Sequence, residues 1–312
     1  MRLLSAFFKL VRWPNLIFIA LTQILYFYCI IPFAYNQNAA VLLKILTPEY
    51  FYLLVGASTC IAASGYIIND YFDLNIDRVN KPLKLIVDRY IKRRSAILLH
   101  MILSFTGLLI SVYVGYRIRN GYIPLFNLIS IVGLWFYSTT FKKKLLIGNL
   151  LISLLSAWVI LVLMAAECQN NRITGSIVLP KLLKVSLLYA GFAFVISLVR
   201  EIIKDMEDMK GDEKYGCQTM PIAWGIPVSK VFAGVWISVL AGTLTIIELY
   251  AWNLGWKFSA SYCILTIIIP LIFILWKLNR AQSSEEYHQL SSSIKTIMLA
   301  GILSMLFFRF HT

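Results

Sequence analysis

The sequence predicts an all-α, polytopic membrane protein: nine transmembrane helices in a bundle, with the N-terminus in the cytosol. Three observations predict it. Of the 312 residues, 59% are hydrophobic and only 14% charged, more apolar surface than a water-soluble domain can hide. Apolar runs of about 20 residues recur from end to end, each able to cross a hydrocarbon core of ~30 Å at 1.5 Å per residue. The bases are also unevenly shared between alternate connections. Counted from a cytosolic N-terminus, one side carries 21 of the 29 lysines and arginines and the other eight, the positive-inside pattern.

The elements follow in order. A first run at about 13–35 opens on Trp13 and Pro14, which begin a span and not a signal-peptide cleavage site. The second, 50–70, carries Gly56, Ala57, Ala62, Ala63 and Gly65, small residues that let helices approach closely. Runs at 95–116, 122–141 and 146–166 follow at short intervals, so antiparallel neighbours are expected. After the sixth, 182–205, come 229–250, 258–277 and 293–310. No linker separates them, and residues 1–312 read as a single membrane-embedded domain. Residues 71–94 and 206–228 are long polar connections on the predicted cytosolic side, punctuated by Pro82 and by turn signals in KYGCQTMPIAWGIP.

Several function classes drop out. The net charge of +14 follows from topology, so it implies no nucleic-acid partner, and nothing calls for an obligate protein partner. Five cysteines lie scattered without a C-x-x-C pair and three histidines lie far apart, so no disulfide framework, zinc or haem site is indicated.

The acids carry the chemical signal. The chain has 15, three of them within GYIINDYFDLNIDRVNKP (65–82) and six within REIIKDMEDMKGDE (200–213). Asn69, Asp73 and Asp77 repeat at i, i+4 and i+8 on one helical face, with Asp70 at its flank. Glu201, Asp205, Asp208 and Asp212 share a face if the sixth helix persists that far. Like charges at this spacing repel, so something positive must hold them. Three readings stay open: solvated helix ends, pairing with nearby Arg78, Lys81, Lys204 and Lys210, or cation binding. Mg²⁺ uses one or two carboxylates plus substrate phosphates, and intramembrane acids mark functional sites. Two carboxylate stripes on one side of a lipid-embedded bundle suit two Mg²⁺ ions gripping a diphosphate.

These residues resemble the UbiA superfamily of intramembrane prenyltransferases. The resemblance rests on N-D-x-x-D-x-x-x-D at 69–77 and on a second acidic stretch ending D-x-x-x-D at Asp208 and Asp212. RWPN at 12–15 is similar to the family's opening of the first helix, and IGNL at 147–150 to a recurrent Gly-Asn in the fifth. Where many relatives continue N-R-P-x-R-P, this chain has Lys81 and Lys84 in place of the arginines and keeps only Pro82.

The resemblance implies a bundle around a central, lipid-accessible cavity and transfer of a polyprenyl group from its diphosphate to an acceptor, with Mg²⁺ as cofactor. It implies metal ligation by Asn69, Asp70, Asp73, Asp77, Asp205, Asp208 and Asp212, of which Asp73 and Asp208, with Lys142, are the expected catalytic residues. Diphosphate contacts fall to Asn15, Asn69, Lys84, Lys143, Arg200 and Lys204; in YSTTFKKK the register among Lys142, Lys143 and Lys144 stays open. The partners are a polyprenyl diphosphate, membrane lipid and a lipid or aromatic acceptor. The second acidic stretch is most similar to that of geranylgeranylglyceryl-phosphate geranylgeranyltransferases and next to that of chlorophyll synthases. A prenylated glycerol phosphate lipid is thus the expected acceptor, at the cytoplasmic membrane with the site facing the cytosol. The reading from another class is a cation-coupled transporter.

Overall fold

The computed structural model describes residues 2–35, 46–80, 82, 85–168 and 178–310. Its helices are α1 (Arg2–Leu10), α2 (Trp13–Tyr35), α3 (Pro48–Phe72), α4 (Leu74–Asn80), α5 (Arg93–Arg117), α6 (Tyr122–Thr139), α7 (Ile147–Cys168), α8 (Val178–Lys214), α9 (Met220–Ala223), α10 (Ile226–Asn253), α11 (Lys257–Arg280) and α12 (Ser284–Phe310). Nine of them, all but α1, α4 and α9, are long and apolar enough to cross a membrane. Among the described residues no β-strand forms. The chain divides into two compact units, Met1–Lys142 with Trp158–Ser186 and Lys143–Ala157 with Leu187–Thr312, so α7 and α8 each contribute to both.

In the first unit, α3 packs on α5 and α6 through small residues. The α5 sequence buries Ala96, His100, Ser104, Gly107, Ser111 and Val114 on one face, while Leu98, Met101, Ile102, Phe105 and Leu109 are exposed. In lipid, apolar side chains gain nothing by burial against each other, so the small face carries the contact. A Cβ on Gly107 would lie 2.8 Å from Ile61 Cγ1 and 3.2 Å from the Ala57 carbonyl oxygen. One on Gly65 would lie 2.8 Å from Leu134 Cδ1, whereas Gly56 faces open space. Of the two glycines expected to bring helices close to α3, only Gly65 does so.

Polar side chains fix this unit from within. Asn127 Nδ2 donates to Ser111 Oγ (2.8 Å) and Asn127 Oδ1 accepts from Trp158 Nε1 (2.9 Å), joining α5, α6 and α7. Gln23 Nε2 donates to Ser58 Oγ (2.9 Å) and to the Val159 carbonyl (3.0 Å). Buried Glu167 accepts from the Tyr35 hydroxyl (2.7 Å) and the Leu46 amide (2.9 Å), which ties α2 and the approach to α3 onto α7.

The second unit has an apolar core of its own, with Ile202, Ile203 and Met206 of α8 against Ile237 of α10, Leu271 and Leu278 of α11 and Ile294 of α12. Gly301 permits a close approach, because a Cβ there would run into the Phe192 ring.

Three helix boundaries differ from the sequence expectation. The helix carrying the first acids stops at Phe72, Asp73 caps it, and Asp77 falls in the short α4. The sixth span runs to Lys214, so the second acidic stretch is helical throughout. Met, Glu and Lys are good helix formers, and Gly216 at φ +72° follows only after Tyr215. The last helix begins at Ser284 because Ser283 and Glu286 form a reciprocal capping box in polar sequence. The helix α1, ahead of the first span, was not anticipated.

The glycine contacts make a direct prediction. Gly107→Ala should lower the unfolding midpoint in detergent by several degrees, since overpacking a tight contact costs about 1–3 kcal/mol. Gly56→Ala should leave it unchanged or raise it. Equal midpoints for the two variants would contradict the packing described for α5.

Candidate functional site

Each acidic stretch is built locally within its own unit. In the first, Asn69 lies in the last turn of α3. Although the helix breaks at Asp73, its hydrogen-bond register carries through: the Asp73 amide donates to the Asn69 carbonyl (2.9 Å) and the Asp77 amide to the Asp73 carbonyl (2.8 Å). Asn69, Asp73 and Asp77 therefore remain one helical turn apart from each neighbour, as the i, i+4, i+8 spacing predicts.

The charges around them are compensated. Lys142 Nζ makes an ion pair with Asp73, both side chains largely buried at 10% and 15% exposure. Lys143 and Lys144 are exposed, which singles out Lys142 among the three lysines. Arg12 Nη2 pairs with Asp70 Oδ1 at 2.7 Å. The guanidinium also lies 5.2 Å from the centre of the Tyr66 ring, and Asp70 holds it firmly charged. Arg12 sits at φ 52°, ψ 54°, in the left-handed region between α1 and α2, a conformation that costs a non-glycine residue about 1 kcal/mol or more. Asp70 is thus committed to Arg12, on a different side of α3 from the Asn69 face.

Asn69 Oδ1 is buried and accepts no hydrogen bond from the protein. A buried amide oxygen with no donor carries the desolvation cost of an unmade hydrogen bond. A neutral oxygen donor with carboxylates one and two turns further on fits a hard divalent cation. Among the described residues no three Asp, Glu, His or Cys side chains converge on one point.

The second stretch lies along one side of α8. Arg200 Nη1 donates to Glu201 Oε1 (2.8 Å), and Lys204 Nζ lies 3.5 Å from Glu201 Oε2. Arg200 Nε is buried without a protein partner. One turn on, Asn149 Nδ2 of α7 donates to Asp205 Oδ2 at 2.8 Å. Asp205, Asp208 and Asp212 are all half-buried. The helix end is closed by the Cys217 amide on the Asp212 carbonyl (3.0 Å), and the Gln218 amide donates to the Lys143 carbonyl (2.8 Å).

Of the other expected residues, Asn15 is half-buried in the first turn of α2, its amide donating to the Arg12 carbonyl (2.8 Å). Lys84 lies outside the described residues. Two participants were not assigned a site role from the sequence. Arg12 was read only as part of RWPN, yet it occupies Asp70; a partner 58 residues distant leaves no local signal. Asn149 had a signal, as a lone amide in an apolar run, and it meets Asp205.

Spans and acid sets together define an integral membrane protein with carboxylates gathered at the ends of its helices. The chain belongs to the UbiA prenyltransferase family, whose model matches residues 25–294, and it is accordingly an enzyme of the prenyltransferase class. It is 30% identical over 273 residues to the digeranylgeranylglyceryl phosphate synthase of Methanosphaera stadtmanae, covering 85% of this chain and 91% of that one. It is 29% identical over 303 residues to the synthase of the same name from Saccharolobus solfataricus, covering 97% and 96%. Among solved structures, one described as concerning digeranylgeranylglyceryl phosphate synthase in membranes aligns over 98% of this chain and 99% of that one, at TM-score 0.63 and 25% identity. A UbiA homologue from Archaeoglobus fulgidus bound to DMAPP and Mg²⁺ shares the fold at TM-score 0.56 and 16% identity, over 96% of this chain and 99% of that one.

If Arg12 and Asp70 act as one unit, Asp70→Asn and Arg12→Gln should each slow prenyl transfer, and the double variant should be no slower than the worse single variant. Steady-state rates of the four proteins test this. Additive losses would show that the two residues act separately.

Proposed function

We propose that this chain transfers a polyprenyl group, best fitted by geranylgeranyl, from its diphosphate to a prenylated glycerol phosphate lipid, with Mg²⁺ as cofactor and diphosphate as the leaving group. The observation that carries the reading is the buried, unpartnered Asn69 Oδ1 one turn from Asp73, whose carboxylate meets Lys142. The acceptor is supported by the names of the relatives, which match over most of the chain. Because the family match runs through residues of both units, the reading takes residues 1–312 as one catalytic domain.

In this reading Asn69, Asp73 and Asp77, and Asp205, Asp208 and Asp212, hold the metal ions. When bound, Mg²⁺ neutralises the diphosphate and stabilises the charge gathering on its departing oxygen. Lys142, already beside Asp73, shares its positive charge with that group. Arg200, Lys204, Lys143, Lys84 and Asn15 supply further cationic or amide contacts to it. Arg200 suits the task because its Nε is buried without a protein acceptor. Asp70, which the family resemblance implies as a further metal ligand, acts in this reading through its ion pair with Arg12. The carbon–oxygen bond to diphosphate breaks, the acceptor hydroxyl oxygen takes the prenyl carbon, and the hydroxyl proton leaves. No serine, cysteine or histidine nucleophile takes part. The uneven distribution of bases supports a cytosolic N-terminus and a site facing the cytosol at the cytoplasmic membrane.

Purified protein with labelled geranylgeranyl diphosphate, Mg²⁺ and a panel of acceptors tests the reading. Geranylgeranylglyceryl phosphate should give an EDTA-sensitive lipid product. Asp73→Ala and Asp208→Ala should each lose about 100-fold or more in turnover while the bundle stays folded, Asp73→Ala with a lowered melting midpoint because it strands the buried Lys142. Product with aromatic acceptors alone would overturn the proposed acceptor. Wild-type turnover in either variant would overturn the two-stretch metal site, and metal-dependent substrate binding without turnover of any acceptor would contradict the proposed reaction.

A further inference from the structure

The acidic end of α8 belongs to a helix longer than a hydrocarbon core requires. The helix has 37 residues, about 55 Å at 1.5 Å per residue, against a hydrocarbon core of ~30 Å. Its last turns carry Asp205, Glu207, Asp208, Asp212 and Glu213 within one short length, and like charges at helical spacing repel. At 100° per residue, Glu207 points about 100–160° away from Glu201, Asp205, Asp208 and Asp212. It belongs to the opposite side of the helix and is left out of the proposed metal set.

That side is held by the start of α12. His288 Nδ1 lies 2.9 Å from Glu207 Oε1, and Ser284 Oγ donates to the Glu207 main-chain carbonyl at 2.9 Å. Ser284 and His288 are four residues apart and so share one face. The Glu207 side chain is only 7% exposed, whereas His288 is about half exposed.

The two contacting residues are themselves fixed. Glu286 Oε2 accepts from the Gln282 and Ser283 amides (2.8 and 2.9 Å) and from Ser283 Oγ (2.9 Å). The Ala281 carbonyl accepts from Lys230 Nζ (2.5 Å) and the Tyr287 hydroxyl (3.0 Å). The turn between α11 and α12 is therefore pinned to α10 before it meets α8.

We propose that the first turns of α12 brace the second acidic stretch, with His288, Glu207 and Ser284 as positioning residues that set the rotation of α8 about its axis. A carboxylate at the rim of a helix lies about 5–6 Å from the axis, so a rotation of about 20° moves it by about 2 Å. That equals a whole Mg–O bond, and Mg²⁺ demands near-ideal octahedral geometry. A brace on the side opposite the ligands removes this freedom without touching metal or substrate. The inference rests on the reading that Asp205, Asp208 and Asp212 hold a metal ion.

The test uses Mn²⁺ as the probe on the full-length protein in detergent, with affinity measured in the absence of substrate and turnover measured separately. His288→Ala and Glu207→Ala should each weaken Mn²⁺ binding by about 10-fold and raise the Mg²⁺ concentration for half-maximal turnover in proportion, with the KM for prenyl diphosphate at saturating Mg²⁺ little changed. His288→Gln, which keeps a donor within reach of Glu207, should recover most of the affinity. Asp208→Ala serves as the control and should bind at least one Mn²⁺ ion fewer. Wild-type affinity in both His288→Ala and Glu207→Ala, beside an impaired Asp208→Ala, would overturn the brace alone. A His288→Gln protein as impaired as His288→Ala would overturn it as a hydrogen-bonding device. Unchanged Mn²⁺ binding in Asp208→Ala would instead overturn the metal reading and the brace with it.

Discussion

A carboxylate at the end of a membrane-spanning helix is stable only if something positive or polar meets it, and the site depends on that constraint. Four of the acids drawn into the two stretches are answered by specific partners. Asp73 has Lys142, Asp70 has Arg12, Glu201 has Arg200 and Lys204, and Asp205 has Asn149. Removing one partner from a buried pair leaves an uncompensated charge and is costly, whereas the intact pair adds little net stability. The pairs are therefore better understood as fixing where charge sits than as holding the bundle together. Asp70 and Asp73 show the division of labour, since neighbouring turns of one helix direct their charge to two different cations.

The scaffold supplies rigidity by other means. Helices in lipid gain no hydrophobic free energy from meeting one another, so close packing and internal hydrogen bonds do the work. Gly107 of α5 against Ile61 of α3, and Gly301 of α12 against Phe192 of α8, are two of the tight approaches. The Asn127–Ser111–Trp158 contacts satisfy both ends of the Asn127 amide, and Gln23 Nε2 donates to Ser58 and to the Val159 carbonyl, groups that would otherwise be stranded in hydrocarbon. Two helices that bear site residues, α3 and α8, are each anchored by one of these glycine contacts, and α8 is additionally held at Glu207.

Much of this was legible in the sequence because membrane solvent imposes a coarse rule. A run of about 20 apolar residues has few alternatives to a spanning helix, and all nine runs form one. The acid spacing was equally informative, because helical periodicity places Asn69, Asp73 and Asp77 one turn apart even across the break at Asp73. Helix ends were less legible. Hydropathy marks where lipid ends and not where hydrogen bonding ends, so it missed the polar turns of α8 up to Lys214 and of α12 from Ser284. The latter had a readable signal in Ser283-x-x-Glu286. Long-range pairings such as Arg12 with Asp70 and Glu207 with His288 left no local trace, since they depend on which helices become neighbours.

The Asn69–Asp73–Asp77 face, beside Lys142, is proposed to take a metal-bound diphosphate. Anomalous diffraction from crystals grown with Mn²⁺ and a non-cleavable thiolo analogue of geranylgeranyl diphosphate tests it most directly. An Mn²⁺ peak is expected within coordinating distance of Asn69 Oδ1 and the Asp73 carboxylate, with Lys142 in contact with a diphosphate oxygen. Diphosphate density with no metal at Asn69 and Asp73, and Lys142 still bound to Asp73 alone, would contradict it.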